Sequence, residues 1–171
     1  MAIRNILQVG DKTLQKKSRA VTDYNNRLFT LIDDMRETLL KSGGVGLAAP
    51  QVGVLRRVVL VLDINKEGLT PEEQLIELIN PVIIEQSGRQ EGPEGCLSLP
   101  GKFGLVVRPD NVTVRAMDRS GKEFEVSGTG LTARAFCHEL DHLEGRMFTE
   151  LAERMLTDEE LENYSGEEEE I

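Results

Sequence analysis

Apolar positions along the chain change period several times, and those changes divide it into elements. Within residues 25–42, Leu28, Leu31, Ile32, Met35, Leu39 and Leu40 recur at intervals of three and four, the stripe of an amphipathic helix. Asn25 or Asn26 is placed to cap its start, and Gly43-Gly44 to end it. Val58-Val59-Leu60-Val61-Leu62-Asp63 is a continuous, β-branched-rich run of the kind found in a buried strand. Residues 75–85 read as two strands separated by a turn at Asn80-Pro81. Leu105-Val106-Val107 and residues 111–117, with Val112, Val114 and Ala116 on one face, predict further strands. Asp118-Arg119-Ser120-Gly121 reads as a hairpin turn into another strand over residues 123–126. Residues 12–19 and 66–73 are polar and read as exposed loops, and residues 43–53 as a glycine-rich connector from helix to strand. A second strong helical pattern starts near Thr132, after Gly128 and Gly130. Scattered strands with two clear helices predict an α+β fold, mainly antiparallel sheets packed around the second helix.

Length and charge sharpen this picture. At 171 residues the chain suits one domain with a substantial core, expected over residues 1–156. Residues 157–171 form a short acidic tail, expected to be helical after Thr157, where Thr157 and Glu160 fit a capping box, and disordered beyond Gly166. The formal net charge is −10, but eight acids and no Lys or Arg fall within residues 158–171, so the body carries only −2. Such a body offers no basic patch for direct nucleic-acid binding. No apolar run approaches the ~18 residues of a membrane-spanning helix, and residues 1–6 lack the apolar core of a secretory signal. A cytoplasmic protein with no membrane partner is expected, with its two cysteines, Cys96 and Cys137, reduced.

The chemistry concentrates in the second helix. Phe136-Cys137-His138-Glu139-Leu140-Asp141-His142-Leu143 contains H-E-x-x-H and uses both histidines of the chain. On a helix, side chains at i and i+4 stand roughly 5–6 Å apart at Cβ on one face. Two imidazoles so placed can hold one metal ion, with Glu139 beside them to act on a bound water. A catalytic metal needs a third protein ligand. Cys137 adjoins His138, but consecutive helix positions diverge by about 100°, so it reads as a small core residue. Glu159 or Glu160 would complete a thermolysin-like set, yet both lie in the exposed acidic stretch. Cys96, in the glycine-flanked segment Glu94-Gly95-Cys96-Leu97-Ser98-Leu99-Pro100, reads on composition equally as inert packing or as a ligand. The histidine pair, still one ligand short, favours it as the third, and its thiolate would also offset a divalent charge. Gln51 is the one side chain of the glycine-rich connector with donors to offer a carbonyl. The residues alone leave open a zinc endopeptidase and a four-coordinate structural zinc site.

Three segments together resemble the signature of the peptide deformylase family, enzymes that remove the formyl group from the initiator methionine of new bacterial proteins. With φ apolar, the family patterns G-φ-G-φ-A-A-x-Q, E-G-C-φ-S and H-E-x-D-H stand here as Gly44-Val45-Gly46-Leu47-Ala48-Ala49-Pro50-Gln51, Glu94-Gly95-Cys96-Leu97-Ser98 and His138-Glu139-Leu140-Asp141-His142. They occur in the family order, within a resemblance covering residues 6–151. The resemblance implies Cys96, His138 and His142 as metal ligands and Glu139 as acid and base. It further implies Gln51 and the backbone N–H of Leu97 as donors to the developing oxyanion. Gly46 would lie against the substrate backbone, with Val45 and Leu131 lining the pocket for the methionine side chain. One divalent ion is implied, Fe²⁺ in the cell, with Zn²⁺, Ni²⁺ or Co²⁺ accepted by the same ligands in isolated protein. N-formylmethionyl nascent peptides are the implied substrates, with transient ribosome contact. Two departures stand out. Cys137 replaces a residue that is often glutamine in the family, and the acidic end replaces a longer basic helix through which some members are thought to touch the ribosome. Asp141 reads as a supporting residue paired with Arg108 or Arg134.

Overall fold

The computed structural model describes residues 1–164 and Ile171. Helix α1 (Asn26–Ser42) starts where the Asn25 side chain accepts from the Leu28 N–H at 3.1 Å, and it ends at Gly43 in the left-handed region. Five strands form the larger sheet: β1 (Gly46–Ala48), β2 (Val58–Leu62), β3 (Leu75–Ser87), β6 (Asn111–Met117) and β7 (Glu123–Thr129), ordered β1-β2-β3-β6-β7. A second sheet, ordered β4-β5-β8, is built from β4 (Gln90–Cys96), β5 (Leu99–Arg108) and β8 (Arg154–Met155). Every pairing between these named strands is antiparallel. Helix α3 (Gly130–Leu143) packs on β1 and β2 and reaches β5 of the second sheet. The fold is thus α+β with antiparallel sheets around one buried helix, as expected.

Strand β2 explains why an unbroken apolar run was needed. Val58, Leu60 and Leu62 pack with Leu31, Ile32, Met35 and Leu39 of α1. Val59 and Val61, on the other face, join Ala133, Phe136 and Cys137 of α3. Both faces are covered, so alternation disappears.

The structure corrects several expectations. Residues 75–85 are not two strands with a turn but part of the single strand β3. Asn80 takes φ 51°, the register with β6 shifts between Ile79 and Val82, and pairing resumes beyond Pro81. This bulge is held because the Asn80 side chain accepts from the Val21 N–H at 2.8 Å and donates to the Val21 carbonyl at 2.9 Å. The connector over residues 43–53 contains β1 and a 3-10 turn, Ala49–Val52. Residues 66–73 are not all loop, since Thr70 and Glu73 form a capping box that opens the short helix α2 (Pro71–Gln74). Residues 12–19 are not fully exposed either, for Leu14 and Ser18 are buried. In the tail, α4 (Asp158–Glu162) forms with Thr157 as its cap. The four glutamates expected to be disordered, residues 167–170, lie outside the described residues, while Ile171 is buried.

The double-faced core around β2 gives a direct test. Leu60→Ala lowers the free energy of urea unfolding by about 2–5 kcal/mol, whereas Leu69→Ala, on the exposed loop, changes it by no more than about 0.5 kcal/mol. Equal effects of the two changes contradict this packing.

Candidate active site

Strand β4 ends at Cys96, and the sheet it belongs to lies against α3, whose inward face carries His138 and His142. Cys96 Sγ stands 3.4 Å from His142 Nε2, and His142 Nε2 stands 3.2 Å from His138 Nε2. All three residues are buried, and their ligand atoms lie within 4.8 Å of one another. Among the described residues no other histidine, cysteine or carboxylate joins this cluster.

The donor set fits a metal ion. His138 Nδ1 is 2.8 Å from Glu94 Oε2, so the proton sits on Nδ1 and the Nε2 lone pair faces the thiol and the second imidazole. One sulfur and two imidazole nitrogens converge on a single point, a set suited to a divalent transition ion.

Glu94 is the residue that sets this geometry, a role not assigned to it from the sequence. Its carboxylate is fully buried and accepts from Arg108 Nε (3.0 Å), Arg108 Nη2 (2.7 Å) and Arg134 Nη1 (3.0 Å) as well as facing His138. Burial opposes its ionisation, but the hydrogen bonds from His138 and Arg108 prevail and hold its carboxyl well below the usual range. Arg108 also donates to Asp141 at 2.8 Å, so the expected partner of Asp141 is Arg108, while Arg134 serves Glu94. The signal for Glu94 was present: a strand reading Gln-Glu-Gly-Pro-Glu-Gly-Cys has no apolar face to bury. A carboxylate buried there requires cationic partners from elsewhere in the chain.

Glu139 contrasts with Glu94. It is fully buried, neither of its carboxylate oxygens accepts a hydrogen bond among the described residues, and Oε1 lies 3.8 Å from His138 Nε2. Burial pushes its carboxyl up to about 8. Gly46 makes room for it, because a Cβ at that position would lie 2.9 Å from Glu139 Cγ.

Gln51 is oriented by the loop it belongs to. Its Oε1 accepts from the Ala48 N–H at 2.9 Å, which leaves Nε2 facing Cys96 Sγ at 3.6 Å and Ser98 Oγ at 3.1 Å. Val45 is buried and Leu131 partly buried in one apolar cluster with Cys137. Burial pushes the Cys137 thiol up to about 11, as suits a core residue. The backbone N–H of Leu97 donates to the Ile171 carbonyl at 3.4 Å. The structure therefore brings Cys96, His138, His142, Glu139 and Gln51 to one place. It leaves Glu159 and Glu160 on α4, where Glu160 pairs with Arg154.

The chain is similar to known proteins in sequence and in fold. The sequence pattern of the polypeptide deformylase family matches residues 3–157. A peptide deformylase from Lachnoclostridium phytofermentans is 53% identical over 170 residues, covering 99% of this chain and all of its own length. Another, from Caldanaerobacter subterraneus subsp. tengcongensis, is 52% identical over 95% of this chain and 97% of its own. The crystal structure of a peptide deformylase from Legionella pneumophila superposes with a TM-score of 0.81 at 38% identity, covering 95% of both chains. That from Thermotoga maritima gives 0.81 at 33% identity over 89% of this chain and 99% of its own. With residues 3–157 matched by the family pattern and relatives about half identical over nearly the whole chain, the chain belongs to the polypeptide deformylase family.

Proposed function

We propose that Cys96 Sγ, His138 Nε2 and His142 Nε2 hold one divalent metal ion, and that Glu139 is the acid and base of a hydrolase that removes the N-formyl group from formyl-methionyl peptides. The observation that carries this reading is the convergence of those three ligand atoms beside a buried carboxylate with no hydrogen-bond partner of its own. When bound, the cation supplies Lewis acidity and lowers the pKa of water toward neutrality.

The chain's own groups then have distinct work. Glu139 accepts the proton of the water that attacks the formyl carbon. Gln51 Nε2 and the Leu97 N–H donate to the formyl oxygen as it gains negative charge. Glu139 then returns the proton to the departing amide nitrogen, releasing formate and a peptide with a free amino terminus. Val45 and Leu131 receive the methionine side chain, and the Gly46 backbone lies along the substrate. Glu94 fixes the His138 tautomer, and Arg108 and Arg134 fix Glu94. An endopeptidase with a downstream glutamate ligand is disfavoured by the placement of Glu159 and Glu160 on α4. A structural zinc site is disfavoured because no fourth ligand joins the cluster among the described residues.

The same reading takes Fe²⁺ as the ion in the cell, with Zn²⁺, Ni²⁺ and Co²⁺ acceptable to the same ligands. It places the enzyme in the cytoplasm, working on nascent chains at the ribosome. The first turn of α4 is Asp158, Glu159 and Glu160, so contact with RNA phosphates would run through another surface.

Three variants test the assignment. Glu139→Ala retains its metal by elemental analysis, while formate release from a formyl-methionyl peptide falls by about 10²–10⁴; wild-type turnover would remove Glu139 from the mechanism. Cys96→Ala purifies without metal, and a fully metallated variant would refute the thiolate as ligand. Glu94→Gln weakens metal affinity about 10–100-fold in chelator competition. Unchanged affinity would show that the hydrogen bond to His138 does not tune the ligand.

A further inference from the structure

We propose that the chain blocks its own substrate site with Ile171, which takes the pocket assigned to the methionine side chain and yields it when substrate binds. Ile171 has no exposed surface. It belongs to the apolar cluster that contains Val45 and Cys137, with Leu131 packed at its margin. Its backbone is engaged on both sides of Cys96: the Ile171 N–H donates to the Gly95 carbonyl at 3.2 Å, and its carbonyl accepts from the Leu97 N–H at 3.4 Å. This is strand addition along the end of β4, the way an extended peptide docks on a sheet edge, with a side-chain pocket beside the backbone pairing.

The neighbouring end of the tail already lies close by. Asn163 and Tyr164, just after α4, line one cleft with Gly92, Pro93 and Leu131. Leu131 therefore borders both that cleft and the cluster in which Ile171 is buried. The Leu97 N–H cannot serve Ile171 and the formyl oxygen fully at once, and one apolar pocket cannot hold both side chains. Occupancy by Ile171 and by substrate is mutually exclusive. Ordering Ile171 costs conformational entropy, which offsets much of the gain from burying one isoleucine. The contact is consequently a weak brake that raises KM and leaves kcat untouched, since saturating substrate displaces it.

This inference rests on Val45 and Leu131 being the substrate's side-chain pocket, and the test separates the two. The full metal-loaded chain is compared with Ile171→Asp and with a chain ending at Tyr164. Both variants show KM for a formyl-methionyl peptide lowered about threefold or more, at unchanged kcat. A synthetic peptide of residues 165–171 inhibits the shortened chain competitively, and the same peptide with aspartate in place of its isoleucine does not. In the full chain, isoleucine-methyl NMR shows contacts from Ile171 to the methyls of Val45 and Leu131, a readout that needs no turnover. Equal KM in all three proteins, or an Ile171 methyl without those contacts, overturns the brake. Leu131→Asp in the shortened chain reports on the pocket itself: a raised KM with no effect of shortening rejects the self-blocking contact alone. An unchanged KM for that variant rejects the pocket on which the brake depends.

Discussion

A buried carboxylate clamped by two arginines and a histidine ties the parts of this protein together. Glu94 comes from β4, Arg108 from β5, and Arg134 and His138 from α3, so one cluster of charged hydrogen bonds joins the smaller sheet to the central helix. Asp141, one turn along α3 from His138, holds the other side of Arg108. Removing one member of such a cluster strands a buried charge, typically at a cost of about 3–5 kcal/mol. Because the Glu94 carboxyl lies below its usual range in the folded chain, its stabilisation is present in full above the ordinary carboxylate pKa. It is lost only as acid titrates through the lowered value. The cluster also fixes Cys96, two residues beyond Glu94, relative to the histidine pair.

The two glutamates of the site show how environment divides labour between identical side chains. Glu94 is met by three cationic or N–H-bearing partners and stays an anion that orients His138. Glu139, equally buried, has no such partners among the described residues, and burial raises its carboxyl to about 8. A buried carboxyl that no donor holds as an anion can take up and give back a proton, whereas one fixed as an anion by three donors cannot. Gly46 completes the contrast, since the absence of a Cβ there is what allows β1 to pass against Glu139.

Parts of this architecture were legible in the sequence because their physics is local. The three-and-four spacing of α1, the continuous run of β2 and the i, i+4 histidines of α3 each announce an element from within. Other parts depend on distant partners. β4 carries no apolar alternation and becomes a strand only because β5 pairs with it and Arg108 and Arg134 neutralise Glu94. Asn80-Pro81 has the local chemistry of a turn, yet Val21 captures the Asn80 side chain and β6 holds both sides of the bulge. Burial of Ile171 after an acidic run had no local signal, because the apolar cluster it joins is assembled from β1, β2, β3, β6 and α3.

The proposed metal centre requires one thiolate and two imidazoles to share a cation with room left for water. X-ray absorption on the protein loaded with Zn²⁺ measures this directly. The expected shell holds one sulfur at about 2.3 Å, two imidazole nitrogens at about 2.0–2.1 Å and an exchangeable oxygen. A shell without sulfur, or one closed by a fourth protein ligand, would contradict it.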